Sequence, residues 1–297
     1  MKKLTEWLSE DGMRWVEISE DDTSVSRRTV SGFTRSIDVL RKQLLSGMDW
    51  SDFLHGIGIL SDDGYRIKGA RAVIPLQTPE PRDCWVSSFG YTHREINGVP
   101  VAQRDAPDWY FKGNGNSVVI SGGEVTTPFH ACGSGYEVEY LCAYLIDELG
   151  NPRYCGYTLA LDFSDPDLRH RHPSLAGLSK LRQTVISPEL ILELPPLSTV
   201  VSSSVVRDGQ LVWQKSSKLG LDQLNVSLPD LEAMLFQHDS FCEPGALHFV
   251  LLGASISTDR DGLLLQHGDV IRASSEIGDL NIEVAYADEA IRCSCNS

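Results

Sequence analysis

Apolar positions recur along the chain with two periods. Between Ser36 and Leu45, Ile37, Leu40 and Leu44 fall at i, i+3 and i+7, which predicts a helix with one buried face. A second helix is predicted after Ser227-Leu228-Pro229-Asp230, where a Ser N-cap and an acid at N3 precede Leu231, Met234 and Leu235 on one face. Beyond residue 80 the strand period dominates. Short runs cover 85–89 and 116–120, and longer ones at 136–146 and 154–163 flank a turn at 148–153. Runs at 200–206 and 210–215 bracket Arg207-Asp208-Gly209, an Asp-Gly hairpin signal, and further strands are expected at 246–256, 269–274 and 281–285. Paired strands with few helices predict a β-rich α+β fold built on a curled, mostly antiparallel sheet. Pro75, Pro79 and Pro81 read as a linker or crossover, which divides a smaller N-terminal α/β segment, 1–80, from a main β-domain, 81–297.

Charge narrows the partners. The 297 residues hold 41 Asp and Glu against 26 Lys and Arg, a formal charge of −15, of which −2 falls in residues 1–80 and −13 in the rest. Such a field repels phosphate backbones and anionic lipid, so neither nucleic acid nor a membrane is expected as a partner. No run approaches the ~20 apolar residues of a membrane helix. The start turns acidic by Glu10-Asp11, with no apolar signal-peptide core. Seven cysteines, three of them among apolar or small neighbours, suggest reduced thiols and a cytoplasmic protein. Cys293-Ser294-Cys295 has the look of a metal or redox pair, but no second Cys/His pair has matching spacing.

The segment 135–146 is the most informative. In a strand, Glu137 and Glu139 share a face with Leu141, Ala143 and Leu145, while Tyr136, Val138, Tyr140, Cys142, Tyr144 and Ile146 line the other. With both faces apolar, adjacent carboxylates are costly. A hairpin folded about Gly150-Asn151 pairs residue i with 301 − i, which sets Glu139 opposite Asp162. Three converging carboxylates need a counter-charge. A hard divalent cation with oxygen ligands supplies it, a close Lys or Arg supplies it as well, and a shifted register would leave the glutamates on a solvated face. The pattern leaves these alternatives open.

Glu137-Val138-Glu139, followed by Gly156-Tyr157-Thr158-Leu159 leading to Asp162 and Ser164, resembles the motif of the fumarylacetoacetate hydrolase family. The likeness extends to Tyr110-Phe111-Lys112, Ser179-Lys180, Gly253 and Gly268-Asp269-Val270, in the family's order over roughly residues 72–285. In layout, with the late Asp259-Arg260-Asp261-Gly262 loop, it is most similar to the branch of 2-keto-3-deoxy sugar-acid dehydratases. The resemblance implies a catalytic domain over 81–297 in which Glu137, Glu139 and Asp162 hold Mg²⁺, Mn²⁺ or Ca²⁺. It further implies a small anionic 2-oxo or β-dicarbonyl acid as substrate, reaction through a metal-stabilised enolate, and a homodimer. Hydrolytic C–C cleavage is the first expectation, dehydration or isomerisation of a 2-keto-3-deoxy sugar acid the alternative, and a non-catalytic scaffold the third reading. Lys180 matches the family lysine that stabilises enolate charge, and His93 with Glu95 matches its mobile proton-transfer pair at a shorter spacing. Pro166 stands where many members have a substrate-binding arginine, which leaves that task to Arg169 and Lys112. Ala254 replaces the usual threonine, which leaves a hydrogen bond to Ser255. His170-Arg171-His172-Pro173 reads as a solvated loop, with a lid or anion contact the alternative. No Gly-x-Ser-x-Gly elbow is present, which argues against a serine hydrolase.

Overall fold

A computed structural model describes residues 1–19, 27–57, 69–102, 105–128, 131–277 and 280–288. The Cys293-Ser294-Cys295 pair lies outside them. The chain opens with β1 (Lys3–Leu8) and β2 (Arg14–Ser19), a hairpin the helix-centred reading of this segment missed. Strand β3 (Arg27–Thr29), helices α1 (Ser36–Ser46) and α2 (Trp50–Ile57), and β4 (Arg71–Val73) complete the N-terminal segment. Next come β5 (Cys84–Gly90), the small hairpin β6 (Glu95–Ile96) and β7 (Val99–Pro100), then β8 (Asp108–Asn114), β9 (Val118–Ile120) and β10 (Glu124–Thr127). The expected strand at 116–120 is thus shorter, because Gly115–Ser117 forms a 3₁₀ turn capped by the Asn114 side chain.

The acidic hairpin consists of β11 (Gly135–Ile146) and β12 (Pro152–Ser164). Helices α3 (Pro166–Arg171) and α4 (Ala176–Lys180) lead to β13 (Thr184–Ile186) and β14 (Glu189–Ile191). The hairpin β15 (Thr199–Arg207) and β16 (Gln210–Leu219) follows, then α5 (Leu228–Phe236), β17 (Leu247–Ser257), β18 (Val270–Ser275) and β19 (Asn281–Asp288). Helix α5 starts where its sequence predicts, with the Ser227 hydroxyl accepting the Asp230 N–H.

A 12-stranded sheet runs in the order β3-β2-β1-β14-β12-β11-β17-β5-β8, with β4, β13 and β9 pairing beside that path. Residues 1–80 and 81–297 share it, since Lys3, Leu4 and Thr5 pair with Ile191, Leu190 and Glu189. A 5-stranded sheet, β10-β19-β18-β15-β16, packs over one face. There Tyr136, Val138 and Tyr140 join Val201, Ile271 and Ile282 in one core. On the other face Leu141, Ala143 and Leu145 pack with Ile37 and Leu40 of α1 and Phe53 and Leu54 of α2. The β11 strand is therefore covered on both sides, with the glutamates on the helix-facing side. This is the β-rich α+β architecture the strand pattern predicts. No helix among the described residues is long and apolar enough to cross a membrane.

Two bulges set the geometry around the site. Near its turn the acidic hairpin pairs Ile146 with Pro152 and Tyr144 with Tyr154, then the register shifts and Ala143 pairs with Gly156. Cys155 is the extra residue. Gly156 sits at φ 143°, where an added Cβ would lie 2.3 Å from the Ile191 carbonyl oxygen. Consequently Glu137, not Glu139, stands opposite Asp162, and Glu139 stands opposite Ala160. The expected 301 − i pairing fails because the turn is longer and centres on Leu149, which moves the frame by three residues, and this bulge moves it back by one. Opposite residues share a face, so all three carboxylates still converge. On the other side, β17 pairs Ile256 with Val138 but Leu252 with Tyr140, so Gly253, Ala254 and Ser255 bow out beside Glu139. Gly253 allows the bend at φ 63°, where an added Cβ would strike the Leu224 side chain at 2.5 Å.

Candidate active site

At the helix-facing end of the β11–β12 hairpin, one oxygen from each of Glu137, Glu139 and Asp162 lies within 4.8 Å of the others. Asp162 is fully enclosed and its charge is answered from three sides. Lys112 of β8 forms an ion pair with Oδ1, Lys180 of α4 donates to Oδ2 at 2.7 Å, and the Ser88 hydroxyl donates to Oδ2 at 2.9 Å. Burial alone would raise this carboxyl, but the two lysines outweigh it and hold it far below the ordinary range. Lys180 also donates to Glu137 at 2.5 Å. Burial opposes its charge, yet Asp162, Glu137 and Glu139 prevail, so its pKa is raised. Lys180 is therefore a fixed cation at neutral pH.

Glu139 is the member left over. It is buried, and its Oε2 has no hydrogen-bond partner among the described residues. Burial first, then the Asp162 charge, push its carboxyl well above the ordinary range. Three acidic side chains thus face two lysines, with one buried oxygen unpaired among the described residues. That oxygen, with the all-oxygen donor set, fits a hard divalent cation. Of the counter-charges left open by the sequence, lysines answer the acids in part, and the three carboxylates lie close enough together to share a cation.

A cavity of about 600 Å³ opens over this cluster. Glu137, Glu139 and Lys180 line it, together with Tyr91, Tyr110, Arg169 and His170. Tyr91 adopts φ 59°, an uncommon conformation for a residue with a side chain, and its carbonyl is held at 2.9 Å by the Asn225 amide. Arg169 and His170 approach the same oxygen of Asp259 at 3.4 and 3.2 Å. Burial opposes the Arg169 charge, but Glu137 and Asp259 raise its pKa.

The structure gathers the three acids, Lys180 and Arg169 at one cavity and places the other expected residues elsewhere. Lys112 lies behind Asp162, fully buried, donating to the carbonyls of Phe163 at 2.6 Å and Lys180 at 2.9 Å. Burial pulls its pKa down while Asp162 opposes the shift. Its task there is to neutralise and fix Asp162. Ser255 is buried with its hydroxyl unpartnered among the described residues, and the cavity wall carries Ala254 and Ser257 instead. His93 and Glu95 do not line the cavity. His93 is 2% exposed, its Nδ1 bonded to the Glu95 carbonyl, and burial lowers its pKa.

Sequence reasoning missed Ser88 and Ser257. Ser257 stands directly opposite Glu137, but the bulge at Gly253–Ser255 makes its face uncountable from sequence. Ser88 carries no signal, because nothing in the sequence pairs β5 with β17 or brings it near Asp162.

No protein-family model matches the chain, and no curated protein matches it by sequence. Solved structures do match. A 2-keto-3-deoxy-D-arabinonate dehydratase in its apo form superposes with a TM-score of 0.71 at 18% identity, over 96% of this chain and 99% of that one. The same enzyme complexed with magnesium and 2,5-dioxopentanoate gives 0.69 at 18% identity with the same coverage. A 5-carboxymethyl-2-hydroxymuconate delta-isomerase from Mycobacterium smegmatis gives 0.61 at 14% identity, over 96% and 99% of the two chains. Over nearly its whole length, then, this chain has the fumarylacetoacetate hydrolase-like fold that its acidic hairpin resembles.

Proposed function

We propose that the protein is an enzyme of the fumarylacetoacetate hydrolase family that uses a divalent cation to act on a small 2-oxo acid by dehydration or isomerisation. The observation that carries this reading is the under-neutralised trio of Glu137, Glu139 and Asp162, with an orphaned Glu139 oxygen under a cavity. Likeness in fold to a dehydratase whose complex contains magnesium supports it. Glu137, Glu139 and Asp162 would hold the ion, with Mg²⁺ or Mn²⁺ the natural candidates. Bound there, the ion would supply Lewis acidity toward the 2-oxo acid head.

The chain's own groups divide the remaining work. Lys180, fixed as a cation, offsets negative charge that develops on the substrate and can donate a hydrogen bond, but it is no proton acceptor. Arg169 presents a second positive charge on the cavity wall. His170 is the imidazole that lines the cavity, and its Nε2 faces the Asp259 carboxylate, an arrangement that orients a ring for proton exchange. Lys112 and Ser88 keep Asp162 ionised and in place.

C–C hydrolysis of an acylpyruvate or similar β-dicarbonyl acid is the second reading. Hydrolysis needs a base that activates water, and His93 offers a buried imidazole outside the cavity wall. The readings separate by product. With Mg²⁺, dehydration of a 2-keto-3-deoxy acid yields a semialdehyde, whereas hydrolysis bleaches an acylpyruvate's diketone absorbance. Exchange of the C3 protons of pyruvate with D₂O, followed by NMR, tests the shared enolisation step. Absence of exchange with any divalent ion would sink both readings.

A further inference from the structure

The loop after β5 and helix α3 stand in different relations to the cavity. Residues 91–97 are fastened at both ends. Asn225 donates its backbone N–H to the Thr92 carbonyl at 2.8 Å and its side-chain amide to the Tyr91 carbonyl at 2.9 Å. Arg94 donates to the carbonyls of Gln223 at 2.7 Å and Leu224 at 3.0 Å. Asn97 bonds both backbone groups of Ser257, at 2.8 and 2.9 Å, and its own N–H donates to the Ser255 carbonyl at 3.0 Å. Inside this clamp His93 is buried, with its ring against Gly253 of the β17 bulge. Bringing that ring into the cavity would break several of these bonds.

His170 is placed the opposite way. It sits in the last turn of α3, 61% exposed, and among the described residues it is the one imidazole in the cavity lining. Its Nε2 lies 3.2 Å from Asp259 Oδ2. A ring tied to a carboxylate through one nitrogen has its direction fixed and presents the other nitrogen as a base. The groups around it are poorer acceptors. Lys180 is held as a cation, and Arg169 and Arg260 are guanidinium groups that keep their protons. Tyr110 donates its proton to Asp108 at 2.8 Å, and burial raises its pKa. Glu137 and Glu139 belong to the acidic trio.

We propose that His170, oriented by Asp259, is the proton carrier of this site, and that residues 91–97 form a fixed wall beside it and not a moving arm. His170 takes the proton from the carbon beside the 2-oxo group, leaving the C–H electron pair in the enolate. The imidazolium then returns a proton, to the departing hydroxyl as water in a dehydration or to a different carbon in an isomerisation. Asp259 is the positioning residue.

This rests on the reading of the cavity as a 2-oxo acid site, and the two parts can be tested apart. Exchange of the pyruvate C3 protons with D₂O, followed by NMR on the full chain with Mg²⁺, reads the step directly. His170→Ala should slow exchange by ~10²-fold to 10⁴-fold, the usual size of general acid–base catalysis, and leave Mn²⁺ affinity by calorimetry unchanged. Added imidazole should restore exchange in His170→Ala in proportion to its concentration, which a merely structural loss would not allow. Asp259→Asn should slow the wild type yet add nothing further to His170→Ala. Undiminished exchange in His170→Ala, a loss that imidazole leaves unrepaired, a weakened Mn²⁺ affinity, or additive losses in the double variant would each overturn the assignment and leave the 2-oxo acid site standing. Absence of exchange in the wild type with any divalent ion would overturn both.

Discussion

The 12-stranded sheet contains two buried acidic places, and they are built to opposite ends. On β1, Glu6 is fully buried, yet every face of its carboxylate is met. Arg14 donates at 2.5 Å, Arg35 lies at 3.1 Å, and the Ser36 N–H at the start of α1 donates at 2.9 Å. One acid faces two arginines and a helix N-terminus, whose own N-cap residue, Arg35, offers no side-chain cap. On β11 and β12, three acids face two lysines, and Glu139 keeps an unpartnered oxygen. A buried carboxylate with a full set of partners fastens a fold; a deficit of partners beside a cavity marks a place prepared for something else.

The contrast predicts opposite responses to removing an acid. Glu6→Ala leaves two guanidinium groups partly buried and a helix start uncapped, so it should cost roughly 3–5 kcal/mol of stability, read as a lowered midpoint in urea. Glu139→Gln should leave the metal-free midpoint unchanged or slightly raised, since it removes an uncompensated acid. The same variant should erase the cation-dependent rise, which for the wild type is about 2.7 kcal/mol at 100 times the dissociation constant. A large loss in metal-free Glu139→Gln would break the comparison, because it would make both acids structural.

Titration sharpens it. The Glu139 carboxyl is raised in the folded protein, so above about pH 4.3 the unfolded chain has shed a proton the native state retains. Metal-free stability should therefore fall as pH rises through that window, and saturating Mg²⁺ should remove the slope by displacing the proton. Asp162 acts in the opposite sense. Held low by its lysines, it contributes stability above about pH 3.9 that is lost on further acidification.

A buried group away from the acids provides the control. His248 is 1% exposed, stacked on Trp85 at 6.3 Å between centroids, and burial pushes its pKa down to about 4. The unfolded chain takes up that proton near pH 6.5, so stability should decline as pH falls from about 6.5 to 4, by at most about 3 kcal/mol. His248→Phe should flatten that part of the profile and leave the metal response intact.

The smallest effect concerns Lys112. Lys112→Met removes one of the two lysines at Asp162 but leaves the cavity lining untouched. Metal affinity should change by ~10-fold to 100-fold, the usual range for a group acting through a ligand. Calorimetry with Mn²⁺ would measure it.

Much of this site was legible in the sequence because strand alternation is a local rule. Glu137 and Glu139 share a face whatever the rest of the chain does, and the covering of both faces followed from the apolar residues around them. What was illegible depends on counting across irregularities or distance. The pairing of Asp162 needed knowledge of the bulge at Cys155, and Ser257 needed that at Gly253. The role of Lys112 required β8 to lie at the sheet edge beside β5, while its ammonium reaches Asp162 on β12. The first hairpin was a different omission, since Asp11-Gly12 between two alternating runs is itself a turn signal.

The extra residue in β12 has a consequence for insertions and deletions. Deleting Cys155 would let Tyr154 and Gly156 become neighbours, and every pair from Tyr144–Tyr154 to Gly135–Ser164 would persist in a regular ladder. Deleting any one residue between Gly156 and Asp162 would instead turn Asp162 to the aromatic side of the sheet, away from both glutamates. The hairpin therefore tolerates a change of length at one position and forbids it from there on, as far as Asp162. A deletion scan along β12, scored by cation-induced stabilisation, would show that boundary as a step.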